Sequence, residues 1–211
     1  CGAPFTIASY LIEGGPTKSY NKTRGMLISE PEIWNGLMEK LADMSIEYLS
    51  MQARAGANAL QIFDSWVGAV NSTEYEQAIF PHMKRIISTV KSRFPNLSLA
   101  MNGVGTDHLV STWAKLPLDV IALDWRSSIG AAKDRGVTQT VQGNLDPAYL
   151  YGDTKTIAKI VDEILMDGVR HGKHVFNLGH GVFPEADPAK LHWLTDYVHE
   201  KSRELWARES R

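Results

Sequence analysis

Residues 138–178, TQTVQGNLDPAYLYGDTKTIAKIVDEILMDGVRHGKHVFNL, contain the pattern that decides the fold class. Thr138–Gln142 and His174–Leu178 are short runs of strand character, and Asp153 stands where an N-cap would open a helix between them. Apolar side chains then recur at helical spacing, at Ile157, Ile160, Val161, Ile164 and Leu165. A strand, a helix and a second strand in this order predict a parallel unit with a right-handed crossover.

The same alternation extends outward through the rest of the chain. Earlier strands are predicted within the opening segment Cys1–Ala8 and at Asn58–Phe63, Leu97–Met101 and Val120–Leu123. The first helix is predicted to run from Ser29 to Gly56, because Ser29 has capping-box spacing to Glu32. The second runs from about Thr73 to Pro95, with an interruption at Pro81. Further helices are predicted over Thr106–Lys115 and Ser127–Arg135, and after Asp187 and Pro188. About six strands joined by crossover helices require a parallel sheet.

Polar side chains distinguish a barrel from an open doubly wound sheet. No Gly-x-Gly-x-x-Gly or P-loop spacing occurs, so the sequence lacks the phosphate-binding turn of a nucleotide fold. Polar residues instead follow nearly every predicted strand, at Glu13, Asp64, Ser65, Asn102, Asp124, Asn144, Asp146, Asn177 and His180. We therefore predict one α/β domain over residues 1–211. Its predicted fold is an incomplete (β/α)8 TIM barrel with about six of the eight parallel strands.

Composition excludes several other classes of protein. With 22 Lys and Arg against 24 Asp and Glu, the net charge of -2 indicates no basic surface for nucleic acid. No apolar run approaches the roughly 20 residues that span a bilayer, and the start lacks a signal-peptide pattern. The single cysteine, Cys1, and the histidines form no metal-ligand cluster. We expect a cytoplasmic protein with no nucleic-acid partner, no membrane partner and no metal.

Four side chains are candidates for ligand binding. Tyr10 lies just past the predicted opening strand, where a phenol can hydrogen-bond a carboxylate. Phe63 and Ser65 place an aromatic ring and a hydroxyl at the end of the next predicted strand. His180 stands between two glycines, which let the backbone bring the imidazole close to a ligand.

Simpler roles remain open for these positions from the residues alone. Tyr10 can cover the core with its hydroxyl in water, and His180 can be an ordinary turn histidine. Asp64 and Ser65 are equally suited to be turn formers that cap the following segment. The residues alone therefore leave the candidate site as a hypothesis.

No catalytic set emerges from the motifs. No Gly-x-Ser-x-Gly elbow is present, and Cys1 lacks a placed histidine. We interpret Asn144 and Asp146 as structural residues that hold loops or neighbouring side chains. No residue is assigned a catalytic role.

Five segments together resemble the uroporphyrinogen decarboxylase family, from one end of the chain to the other. They are Cys-Gly-Ala-Pro-Phe-Thr-Ile-Ala-Ser-Tyr-Leu-Ile-Glu-Gly-Gly from Cys1, Gln-Ile-Phe-Asp-Ser-Trp-Val-Gly from Gln61, Leu-Asp-Trp from Leu123, Gln-Gly-Asn-Leu-Asp-Pro from Gln142 and Asn-Leu-Gly-His-Gly-Val-Phe-Pro from Asn177. The resemblance implies a (β/α)8 barrel that converts uroporphyrinogen III to coproporphyrinogen III without metal or organic cofactor. It also implies that Tyr10, Ser65 and His180 contact substrate carboxylates and that Phe63 lines the cleft.

The chain departs from the family pattern in one respect. The family's Arg-Gln-Ala-Gly-Arg signature, and the aspartate that accepts the pyrrole N–H groups, are not found in it. From this we expect an N-terminally truncated decarboxylase whose 211 residues alone do not turn over substrate. We also expect it to form a homodimer or to associate with the missing segment, because an open sheet exposes its edges.

Two alternatives belong to other functional classes. Related cobalamin-linked methyltransferases share the barrel, but the resemblance would require a zinc site on His-x-Cys, and this chain has Asn102-Gly-Val there. A barrel remnant that binds tetrapyrroles without catalysis is the second alternative, and tight binding without CO2 release would indicate it.

Overall fold

Helices and strands alternate along the chain in the computed structural model, which describes residues 1–209. The helices in that range are α1 (Pro4–Glu13), α2 (Asn21–Ser29), α3 (Pro31–Arg54), α4 (Ser72–Ala78), α5 (Phe80–Arg93), α6 (Val110–Trp113), α7 (Ile129–Asp134), α8 (Thr154–His171) and α9 (Pro188–Glu209). The strands are β1 (Ala59–Asp64), β2 (Ser98–Gly103), β3 (Val120–Ala122), β4 (Thr140–Leu145) and β5 (His174–Leu178). Short 3-10 turns cover Val67–Ala69, Asp107–Leu109 and Pro147–Tyr151.

The strands follow one another across one sheet in chain order. β1 pairs parallel to β2, with Ala59 opposite Ser98 and Asp64 opposite Gly103. β4 pairs parallel to β5 in the same way, beginning with Val141 opposite His174. The predicted α/β class with a parallel sheet is therefore confirmed.

The prediction of a strand in the opening segment is wrong. Gly2 forms only an isolated parallel bridge with Phe63, and the N–H of Ala3 donates to the carbonyl of Phe63 at 2.8 Å. α1 then begins at Pro4, because proline at the first helical position has its φ preset and lacks an N–H that would need a partner. Within residues 1–209 the sheet consequently has five strands rather than about six.

A second proline displaces the predicted start of the long helix. Ser29 was expected to cap it, but Ser29 ends α2, and its hydroxyl donates to the carbonyl of Gly25 at 2.8 Å. α3 begins at Pro31 instead. The predicted helix Thr106–Lys115 is also shorter than expected, being a 3-10 turn followed by the single turn α6.

Other predicted boundaries agree with the structure. The side chain of Asp153 accepts a hydrogen bond from the N–H of Thr156 at 2.7 Å and so caps α8. β5 has the predicted bounds. In the described part of the chain, no helix is both long enough and apolar enough to cross a bilayer.

The chain divides into two compact units, each with its own core. The first unit, Cys1–Ile121, buries Trp34, Tyr75 and Trp113 almost completely. The second begins at Ala122, and its core is formed by residues of α8 and α9 with neighbours before them: Leu145, Leu150, Ile157, Val161, Leu165, Leu194, Val198 and Leu205.

Candidate functional site

The end of β1 presents different side chains to its two faces. Successive strand residues point to opposite sides, so Ile62 and Asp64 share one face and Phe63 lies on the other. Ile62 and Asp64 are buried, whereas Phe63 is 44% exposed. Ser65 follows the strand in a turn and is half-buried. The first unit thus exposes an aromatic ring at the strand end, as the sequence predicted.

Asp64 is a buried carboxyl rather than an exposed turn former. The hydroxyl of Thr6, on α1, donates to its Oδ1 at 2.9 Å. Its Oδ2 has no hydrogen-bond partner in the described structure. Burial raises the pKa of Asp64 to about 7, and the hydrogen bonds from Thr6 offset only part of that effect.

Tyr10 lies on a helix and not at the end of a strand. It projects from α1 and is 62% exposed. Its ring centroid is 4.2 Å from that of Trp66, and Tyr20 contacts the same indole with centroids 5.3 Å apart. Trp66 is the neighbour of Ser65 in the chain, so the first unit brings Tyr10 to the turn that follows β1.

The C-terminal end of α1 is held by a carboxylate. Glu13, expected to follow a strand, is the last residue of the helix. The N–H and the hydroxyl of Thr23 both donate to its Oε1 at 3.0 Å, and these bonds hold the pKa of Glu13 below its ordinary value. Glu13 therefore joins α1 to α2.

In the second unit, a cation and two aromatic rings lie beside the turn that follows β3. Arg126 donates to the carboxylate of Asp124 at 2.8 Å, and its guanidinium carbon lies 4.0 Å from the centroid of the Trp125 ring. His180 meets the same indole edge-on with centroids 6.0 Å apart. A guanidinium stacked on an indole is held in place while its remaining donors stay available. Arg126 was not identified as a candidate from the sequence, because no local pattern marks a cation near a strand end.

Backbone contacts fix the position of His180. The N–H of Gly179 donates to the carbonyl of Leu145 at 2.7 Å. A Cβ on Gly179 would lie 2.6 Å from the backbone nitrogen of Trp125. Glycine is therefore required where the turn after β5 meets the turn after β3.

Replacing Gly179 with alanine should displace this turn. We expect the free energy of unfolding to fall by about 1–3 kcal/mol, because the added methyl group meets backbone and not a flexible side chain. Urea unfolding followed by circular dichroism measures the change. Gly181→Ala is the matched control, since a Cβ there meets nothing within 4 Å. Equal stabilities for the two variants would contradict this description of the turn.

Asn144 and Asp146 have the structural roles expected of them. The amide of Asn144 donates to the carbonyl of Asp124 at 2.9 Å and also to that of Ser127. Asp146 accepts from the N–H of Ala148 at 2.9 Å and starts the turn Pro147–Tyr151. Both side chains thus hold loops in the second unit.

The structure groups the candidates by unit. Tyr10, Phe63 and Ser65 lie together in the first unit, and His180 lies in the second beside Trp125. Contact between the four residues and a ligand stays a prediction. Where side chains are described, over residues 1–207, no cluster of three or more His, Cys, Asp or Glu side chains is arranged to hold a metal ion.

The parallel strands place this chain in the α/β class, whose members commonly bind ligands beyond the carboxyl ends of their strands. Comparison with known proteins identifies the family within this class. The family model for "Uroporphyrinogen decarboxylase (URO-D)" matches residues 1–201. The chain belongs to the uroporphyrinogen decarboxylase family.

Individual relatives agree with this assignment. A protein of Geobacillus sp. (strain WCH70) named "Uroporphyrinogen decarboxylase" is 53% identical over 94% of this chain and 57% of its own length. One of the same name from Bacillus subtilis (strain 168) is 52% identical over 96% of this chain and 57% of its own length. The chain thus spans somewhat more than half the length of these relatives.

One solved structure resembles the fold. A methyltransferase from Methanosarcina mazei superposes with a TM-score of 0.77 at 17% identity, over 97% of this chain and 58% of the other. At that identity, the likeness concerns the fold alone.

Proposed function

We propose that this protein is a uroporphyrinogen decarboxylase, which removes the four acetate carboxyls of uroporphyrinogen III as CO2 to give coproporphyrinogen III. The observation that supports this most strongly is the family match over residues 1–201. As part of the same proposal, the five parallel strands belong to a (β/α)8 barrel whose cleft receives the macrocycle.

The proposed reaction needs no cofactor because the pyrrole supplies the electron sink. Protonation of the ring lets it accept the electron pair of the breaking C–C bond as CO2 leaves. A proton then adds to the methylene carbon, which becomes a methyl group, and the ring loses the proton it first gained. The protein's part is to hold the carboxylates, to orient the ring and to deliver protons.

The four candidate residues suit the binding role. The hydroxyls of Tyr10 and Ser65 and the imidazole of His180 can donate hydrogen bonds to carboxylates, and the exposed ring of Phe63 offers an apolar surface to the macrocycle. Arg126, whose indole neighbour Trp125 meets His180, is paired with Asp124, and a guanidinium has further N–H donors that can reach a carboxylate.

Binding and turnover are measured separately to test the proposal. The protein is incubated anaerobically with uroporphyrinogen III, alone or with the portion of the Bacillus subtilis relative that lies outside the match. Products with seven to four carboxylates are separated by chromatography, and substrate binding is followed by tryptophan fluorescence. We expect binding by the protein and decarboxylated products when the second portion is present. No binding in either arm would refute the proposal, and binding without products in both would support a non-catalytic tetrapyrrole-binding module.

Replacing His180 with alanine should weaken substrate binding about tenfold, as expected for loss of one hydrogen bond to a charged group. Fluorescence titration gives the dissociation constant. His192→Ala is the control, because His192 is exposed on α9 and does not lie in a turn that follows a strand. Unchanged affinity in the His180 variant would exclude His180 from the site.

Compartment and assembly form the remaining part of the proposal. A free thiol at Cys1 suits a reducing cytoplasm.

We propose a homodimer, in keeping with exposed apolar side chains such as Val175 on β5 and Trp206 on α9. A solution mass of one chain, measured by light scattering, would contradict the dimer.

A further inference from the structure

We propose that Asp64 is a positioning residue, whose carboxyl acts through Thr6 to hold helix α1, which carries Tyr10, against the turn that carries Ser65 and Trp66. The inference rests on the proposed function, since it gives Tyr10 and Ser65 their role as carboxylate-binding residues. Asp64 itself is fully buried and would not touch the substrate.

The hydroxyl of Thr6 connects three segments of chain at one point. It donates to Oδ1 of Asp64 at 2.9 Å and accepts from the N–H of Trp66 at 3.4 Å. Tyr10 lies four residues after Thr6 and so on the same side of α1, one turn further along. The Thr6 side chain thus holds α1 against the turn after β1, and this contact positions the Tyr10 ring against Trp66.

The start of α1 is tied to the strand end and not to a local cap. Ala3, at the N-cap position of α1, provides no side-chain hydrogen bond. The hydroxyl of Thr6, in the first turn of α1, instead donates to the carboxyl of Asp64 on β1. This ties the direction of α1 to the position of β1.

The cost of burying this carboxyl argues that the link has a purpose other than stability. Its Oδ2 has no hydrogen-bond partner among the described side chains of residues 1–207, and burial is the largest cause of its raised pKa. The titratable group that faces it is Tyr75 of α4, whose pKa is raised well above its ordinary value by burial and, to a lesser degree, by Asp64. An apolar side chain would fill the same space without this penalty.

The test compares Thr6→Val, which keeps the shape of threonine and removes its hydroxyl, with Thr6→Ser, which keeps the hydroxyl. Binding of uroporphyrin, an octacarboxylate, is measured by tryptophan fluorescence. We expect the dissociation constant to rise about tenfold for Thr6→Val and less than about twofold for Thr6→Ser. Combining Thr6→Val with Tyr10→Phe should give less than the product of the two single effects, because both act at one contact.

Thr112→Val is the matched control. It removes a buried threonine hydroxyl that donates to a carboxylate, Oε1 of Glu76 at 2.9 Å, away from the turn after β1. If Thr6→Val fails to fold, Asp64→Asn and Asp64→Ser decide the matter. Asparagine keeps the acceptor oxygen and should bind within about twofold of the unsubstituted protein, whereas serine is too short and should lose about tenfold.

The outcomes separate this inference from the function on which it rests. If the unsubstituted protein does not bind uroporphyrin, the proposed function has failed. If it binds, and folded Thr6→Val binds equally well or Thr6→Ser loses as much as Thr6→Val, the positioning role of Asp64 is wrong.

Discussion

Replacing Trp113 with alanine should lower the free energy of unfolding by about 3–5 kcal/mol, the range for a large aromatic side chain removed from a packed core. Trp113 is fully buried on α6, and its indole N–H donates to the hydroxyl of Tyr75 at 2.9 Å. The substitution therefore leaves both a cavity and a buried hydroxyl without its donor. Urea unfolding followed by circular dichroism measures the loss.

Two further variants control this prediction. Trp113→Phe refills most of the space but not the hydrogen bond, so its loss should be intermediate. Trp206→Ala removes a tryptophan that is 40% exposed and should cost clearly less. A loss below about 1 kcal/mol for Trp113→Ala would contradict the packing of the first unit.

Asp64→Asn should remove a pH dependence of stability. Burial raises the pKa of Asp64 from 3.8 to about 7, so the folded state binds the proton more tightly than the unfolded state. The stability gained from the neutral carboxyl is fully present below about pH 4 and is lost as the pH rises through 7. Relative to Asp64→Asn, which cannot ionise, the unsubstituted protein should lose up to about 4 kcal/mol between pH 4 and pH 8.

Unfolding free energies of the two proteins at each pH give this difference directly, because all other titrating groups are shared. The control is Asp153→Asn, at a helix cap where hydrogen bonds lower the pKa of the aspartate, so that its stabilising effect is present at higher pH and is lost as the pH falls. The two substitutions should thus give pH slopes of opposite sign. Parallel curves for Asp64→Asn and the unsubstituted protein would show that Asp64 is not buried as described.

Local signals predicted much of the fold. Asp153 caps α8, Pro188 opens α9, and β5 spans His174–Leu178 as expected, because caps, helix-opening prolines and short apolar runs act through neighbouring residues. The opening segment Cys1–Ala8 was predicted to contain a strand, whereas Pro4 starts a helix there. The prediction of a parallel sheet was still correct, because it depends on the alternation of strands and helices along the whole chain.

The candidate site was less predictable because its decisive contacts join distant residues. Aspartate is a residue type that commonly forms turns, and only the contact of Asp64 with Thr6, 58 positions away, shows that it is a buried carboxyl. Arg126 contacts its near neighbours Trp125 and Asp124, and only the contact of Trp125 with His180, far along the chain, places it beside a candidate residue. Only the family resemblance implies that Tyr10, Phe63, Ser65 and His180 contact one ligand, and this stays a prediction.

A comparison of two porphyrins shows whether these four side chains bind a many-carboxylate tetrapyrrole. Dissociation constants for uroporphyrin, with eight carboxylates, and coproporphyrin, with four, are measured for the unsubstituted protein and for the combined variant Tyr10→Phe, Ser65→Ala and His180→Ala. We predict that uroporphyrin binds at least about tenfold more tightly to the unsubstituted protein and that the folded triple variant loses this preference. Equal affinity for both porphyrins, or a preference that survives in the triple variant, would show that these side chains do not recognise the carboxylates.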